Sequence, residues 1–121
     1  MNYLLHFERP YAHAQHYLGF AEQSVQRRIT RHRKGLGSPL VAAVVATNIP
    51  FVVARVWPDN SRSDERRLKN RGSSSRHCPI CRGEISYDQA KAREGRLTRT
   101  LGRVARVISE VAHVSETATH A

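Results

Sequence analysis

The segment Phe51–Trp57 (FVVARVW) narrows what this chain can fold into more than any other stretch. Branched and aromatic residues fill it directly after Pro50, a composition that fits an extended strand better than a helix. Pro58, Asp59 and Asn60 then turn the chain. A lone strand has no sheet, so its partners must lie elsewhere. Two short apolar and aromatic runs supply them: Tyr3 to Phe7 (YLLHF), broken by Pro10, and Tyr17 to Phe20 (YLGF). These two pair back on each other across a long hairpin spanning Glu8 to His16.

Helical periodicity fills the intervening stretches. From Gln23 to Lys34, Val25 and Ile29 lie four apart on one side, while Arg27, Arg28, Arg31, Arg33 and Lys34 crowd the remainder. Ser24 suits the N-cap, and Gly35 and Gly37 end the helix. Ser38 caps a second helix with Pro39 at its first position; LVAAVVATN follows, apolar almost all round and therefore buried. A third helix starts after Ser61 or Ser63 and reaches Asn70. The order β-β-α-α-β-α predicts an α/β (α+β) fold. Its sheet is small, three-stranded and mixed or antiparallel, with helices flanking it.

At 121 residues the chain suits one domain of roughly 70–90 residues plus an appendage. The composition shift places that domain at 1–71. A linker with a Cys-X-X-Cys knuckle follows at 72–83, and a basic amphipathic helical tail at 84–121. In the tail, Leu97, Leu101, Val104, Ile108 and Val111 recur every three or four residues, opposite Arg96, Arg99, Arg103 and Arg106. This near-heptad face suits either capping of the core or a homodimer contact. The N-terminus lacks the basic start and apolar run of a signal peptide, and the longest apolar stretch, Leu40 to Ala46, is far short of a membrane span. A cytoplasmic, nucleoid-associated protein with no membrane partner is the expectation.

Twenty Lys and Arg face ten Asp and Glu, for a net charge of +10. Seventeen of the twenty are Arg, whose planar fork pairs well with phosphate oxygens. The excess points to a polyanion, and DNA is the expected partner. Arg27, Arg31, Arg33, Lys34, Arg66, Arg67 and Lys69 are the candidate contacts.

Five residues carry the candidate chemistry. Tyr3 and Tyr17 lie on the two hairpin strands, and Gly19 permits close backbone approach just after the second. Arg28 and His32 are four apart and share one helical face, and Glu65 opens the third helix. Phenol, guanidinium, imidazole and carboxylate together suit phosphodiester hydrolysis. The carboxylate would hold a divalent metal, the guanidinium would neutralise the growing charge, and a tyrosine or histidine would take a proton from water. Taken singly, each residue also has a plain structural reading, as a strand aromatic, a solvated cation, a helix-end histidine or a surface carboxylate.

Tyr3-Leu4-Leu5, Tyr17-Leu18-Gly19, Arg28-Ile29 with His32, and Glu65 ahead of Leu68-Lys69 together resemble the pattern of the GIY-YIG nucleases, over roughly residues 2–70. The resemblance implies two tyrosines on adjacent strands, Arg28 and His32 on the helix that follows, and Glu65 as ligand of one divalent metal. It implies a Mg²⁺- or Mn²⁺-dependent DNA endonuclease in which Tyr17 acts as general base or water positioner, supported by Tyr3 and His32. The alternative function is a non-catalytic nucleic-acid-binding module on the same fold.

Cys78-Pro79-Ile80-Cys81 has the spacing of half a zinc knuckle. A structural Zn²⁺ needs four ligands, and His77, His113, His120 or a partner chain are the candidates to complete it. A redox pair and two ordinary buried thiols are the other readings.

Overall fold

A computed structural model describes residues 1–59, 61–70 and 74–111, the side chains of 65, 70 and 100–111 excepted. The three strands are β1 (Asn2–Tyr11), β2 (Ala14–Phe20) and β3 (Phe51–Trp57). They form one antiparallel sheet in the order β2-β1-β3, with β1 at its centre. Helices α1 (Val25–Arg33) and α2 (Pro39–Ala46) lie between β2 and β3 in the chain, and α3 (Arg62–Asn70), α4 (Ser74–His77) and α5 (Tyr87–Val111) follow. The fold is α+β, and the sheet is antiparallel throughout.

Alternation along β1 sorts the interior into two layers. Tyr3, Leu5 and Phe7 point to one face and pack with Val25 and Ile29 of α1, Val41 and Val44 of α2, and Phe51 and Val53 of β3. Leu4 points to the other face, where it meets Leu18, Ala54 and Cys78, with Trp57, Leu68 and Ile80 against them. Burying one such apolar side chain contributes about 1.5–3 kcal/mol. A one-residue slip of β1 would therefore forfeit several such contributions on both faces at once. The β1–β3 ladder steps once: Leu4 pairs with Arg55 and Leu5 with Val53, so Ala54 is the extra residue of a bulge.

Capping follows the sequence. Ser24 and Ser38 accept from the amides of Arg27 and Val41 at the starts of α1 and α2. Ser61 and Asp64 bond reciprocally at the start of α3, Ser61 N to Asp64 Oδ2 at 2.8 Å and Asp64 N to Ser61 Oγ at 3.4 Å.

The hairpin differs from expectation. β1 does not end at Pro10 but runs through it to Tyr11, and Tyr11 pairs with Ala14. The turn is therefore tight, with Ala12 in the left-handed region (φ 52°), rather than a loop over Glu8 to His16. Beyond Phe7 and Glu8 the strand has no ladder with β3, so the missing N–H of Pro10 breaks no pairing on that side.

Residues from the linker and tail stretches pack directly on the sheet. Along β3, the Val53 N–H donates to Glu94 Oε1 (2.8 Å), and Arg93 and Arg33 donate to the carbonyls of Ala54 (2.6 Å) and Phe51 (3.1 Å). Leu97 packs on the first core layer, as the capping reading of that helix expects. The rest of the α5 apolar face, from Leu101 on, lies outside the described side chains. Among the described residues no helix is long and apolar enough to cross a membrane.

Candidate functional site

Gly19 sits opposite Tyr3 in the β1–β2 ladder. A Cβ there would collide with Cζ and Oη of Tyr3 and lie 2.8 Å from Cε2 of Tyr17. The absence of a side chain thus lets the Tyr3 phenol lie across the neighbouring strand. There its hydroxyl meets Nε2 of His32, on α1, at 2.7 Å. One donates and the other accepts, according to the imidazole tautomer. The Tyr17 ring completes a three-ring cluster, its centroid 6.4 Å from Tyr3 and 5.3 Å from His32.

Burial, and then the guanidinium charges of Arg28 and Arg31, push the His32 pKa down to about 4. The imidazole is therefore neutral at pH 7 and resists taking up a proton in the folded chain. Its Nδ1 and the Nε of Arg28, one turn earlier, are buried with no hydrogen-bond partner among the described residues. Arg28 and Tyr17 open onto a cleft of about 590 Å³, which Phe20, Glu22, Arg62 and Lys69 also line. Among the described residues, three cations against one carboxylate favour an anionic occupant. Glu22 and Arg62 approach to 3.7 Å, but both are well exposed, and such a pair contributes little.

Of the five predicted catalytic residues, Tyr3, Tyr17, Arg28 and His32 come together. Glu65 occupies the α3 position about one turn from each of Arg62 and Lys69, which line the cleft two turns apart along that helix. Its side chain, and with it the predicted divalent-metal ligand, lies outside the described residues.

The predicted nucleic-acid contacts divide. Arg27, Arg31, Lys34, Arg66 and Lys69 are exposed. Arg67 is exposed but bonded to Asp64 at 2.6 Å. Arg33 is engaged elsewhere: it pairs with Glu94 at 2.7 Å, donates to Phe51 O and covers the Phe51 ring at 4.8 Å, so it docks α5 onto β3.

A second cluster stands on the other face of the sheet. His6, His16, Cys78 and Cys81 form a group able to hold a metal ion, with all four ligand atoms within 4.8 Å of one another. His6 and His16 are cross-strand partners on β1 and β2, and the two sulfurs come from the knuckle that follows α4. His6 Nδ1 lies 3.2 Å from His16 Nε2, 3.4 Å from Cys78 Sγ and 3.7 Å from Cys81 Sγ; Cys81 Sγ lies 3.3 Å from His16 Nε2. Desolvation lowers the pKa of His6, and desolvation and then His6 lower that of His16 to about 4, so both rings are neutral as ligation requires. Without a cation the Cys81 thiol is pushed up to about 11, first by burial of the sulfur and then by Cys78, although the residue as a whole is exposed.

The two cysteines were legible in the sequence; their histidine partners were not. His77 is not in the group but lies edge-on to Trp57, with centroids 6.1 Å apart. His113 and His120 lie outside the described residues. A signal existed. Tyr3 and Tyr17 share one face, so the strand period places His6 and His16 on the other, but a hairpin loop drawn through His16 hid their pairing.

Comparison with family models, with curated proteins and with solved structures gives no match.

Proposed function

We propose that the chain is a metal-dependent endonuclease that hydrolyses DNA phosphodiester bonds at the Tyr17–Arg28 cleft. The observation that carries this reading is the bonded Tyr3–His32 pair set behind Tyr17 and Arg28, which open together onto one cation-lined cleft. Arg28 binds the scissile phosphate and neutralises charge that grows in the transition state. Tyr17, at the cleft surface, is the general base or positioner of the attacking water, and Tyr3 with the neutral His32 supports it from behind. Glu65 is the ligand for Mg²⁺ or Mn²⁺, which when bound supplies stabilisation of the leaving oxygen. Arg27, Arg31, Arg66 and Lys69 flank the cleft helices and take neighbouring phosphates, which makes binding fall steeply with salt.

The metal of the second cluster is Zn²⁺ in this reading, because two thiolates and two imidazoles favour it over the oxygen-seeking Mg²⁺ and Mn²⁺.

Nicking of supercoiled plasmid, with and without added Mg²⁺ or Mn²⁺, tests the nuclease with wild type beside Glu65→Ala. Metal-dependent nicking that the variant loses while still binding plasmid supports it. Wild type that binds plasmid and never cuts, with either metal, leaves a non-catalytic nucleic-acid-binding module.

A further inference from the structure

Three close approaches converge on one atom, His6 Nδ1: from His16 Nε2, Cys78 Sγ and Cys81 Sγ. A neutral imidazole nitrogen offers one lone pair or one N–H, so hydrogen bonding accounts for at most one of them. A cation at the centre accounts for all. A tetrahedral zinc with N at 2.0–2.1 Å and S at 2.3 Å sets its ligands apart by about 3.3 Å for N to N and about 3.6 Å for N to S. The observed 3.2 Å, and 3.3, 3.4 and 3.7 Å, match these.

The knuckle is shaped for the same end. Arg82 N bonds to Cys78 O at 3.0 Å, Glu84 N bonds to Pro79 O at 2.8 Å, and Gly83 takes the positive φ (77°) that this tight reversal needs. Cys78 is fully buried against Leu4, Leu18 and Ala54, so one ligand is set by the core, while Cys81 closes the site from outside.

The location within the ladder gives the site a role. β1 and β2 keep regular register from Asn2↔Phe20 through Leu5↔Tyr17 to His6↔His16, and the shift begins just beyond that rung. The last regular rung is thus the histidine pair, and the rung beside it holds Tyr17. We propose that Zn²⁺ bound by His6 Nδ1, His16 Nε2, Cys78 Sγ and Cys81 Sγ is a register clamp: by tying this rung to the knuckle it fixes the strand pairing that sets Tyr3 and Tyr17 on the opposite face. This rests on the zinc reading of the cluster, and not on the chain's cutting DNA. The four ligands are positioning residues for the tyrosines, and none touches the cleft.

The test uses the full chain. Elemental analysis is expected to find one zinc per chain, and Co²⁺ substitution to give tetrahedral d–d bands. His16→Ala and Cys81→Ser should each lower zinc content at least tenfold, and Cys81→His, which keeps four ligands, should retain it. Amide hydrogen exchange is then compared in zinc-loaded and chelated wild type. Exchange within 14–18 should quicken at least tenfold on zinc removal, while α2 amides stay within twofold, and Cys81→His should behave as zinc-loaded wild type does. A chain that purifies and reconstitutes without zinc sinks the zinc reading and the clamp together. Stoichiometric zinc whose removal leaves 14–18 unchanged overturns the clamp alone. Exchange that rises everywhere in step overturns it too, because the ion is then a global staple.

Discussion

Tyr3 and His32 are twenty-nine positions apart in the chain and 2.7 Å apart in the structure, joined by a buried hydrogen bond between the central strand and the first helix. Tyr3→Phe deletes that bond and leaves both nitrogens of His32 without a partner among the described residues. The expected cost is about 1–3 kcal/mol, read from urea denaturation, because an orphaned buried polar group loses its solvation without return. Plasmid nicking should fall at least tenfold. Stability equal to wild type would show that the bond does not hold the ring.

Acid should weaken the fold through His32. Its folded-state pKa, about 4, lies below the ordinary 6.5, so a proton favours the unfolded chain. The stabilisation is complete above pH 6.5 and is lost as pH falls through the window down to about 4. Denaturation midpoints taken from pH 7.5 to 4.5 should drop in wild type, with on the order of 2–3 kcal/mol of the lost stability due to His32 and a further share to His16, whose pKa is lowered likewise. In His32→Gln the slope should be shallower; equal slopes would move the origin of the acid sensitivity to other groups.

Gly19→Ala tests the close approach of Tyr3. The added methyl would occupy the space of Tyr3 Cζ and Oη, and the phenol is buried and cannot swing into solvent. Overpacking of this kind costs about 1–3 kcal/mol. A changed near-ultraviolet tyrosine signal should accompany the loss, and a Tyr3–Tyr17 environment spectroscopically the same as wild type would contradict the geometry.

Glu94 holds α5 to the sheet by accepting from the Val53 N–H and pairing with Arg33, with its own side chain 14% exposed. Glu94→Ala should cost about 1–3 kcal/mol, less than a fully buried pair because Arg33 is partly solvated. Glu94→Gln keeps an acceptor for Val53 and should fall between the two. The ranking is read from thermal or chemical unfolding, and a Gln variant no better than Ala would assign the effect to the ion pair alone.

Much of the frame was legible because its signals are local. Ser24, Ser38 and Pro39 mark helix starts by side-chain chemistry that acts within one turn, and FVVARVW carries its strand preference in its own branched residues. The grouping of Tyr3, Tyr17, Arg28 and His32 was legible too, since strand alternation and helical spacing fix their faces. Pro10 misled, because whether a proline ends a strand depends on which side of the strand is paired, and that belongs to tertiary structure. His6 and His16 were missed for a related reason. Their meeting with Cys78 and Cys81 depends on hairpin register and on a knuckle more than sixty positions away, which no window of neighbouring residues contains.

The central place of β1 imposes a timetable on assembly. Its pairing with β2 closes through a turn at Ala12 and His13, and such hairpins form in about 1–10 μs. Its pairing with β3 must wait for a far longer stretch of chain to close, at a greater entropic cost. The imidazole pair and the tyrosine pair are thus expected to meet in the first hairpin to form, before the second half of the sheet arrives. The thiols come from later still in the chain, so a metal ion held by this group would seal an arrangement already rehearsed by the first two strands.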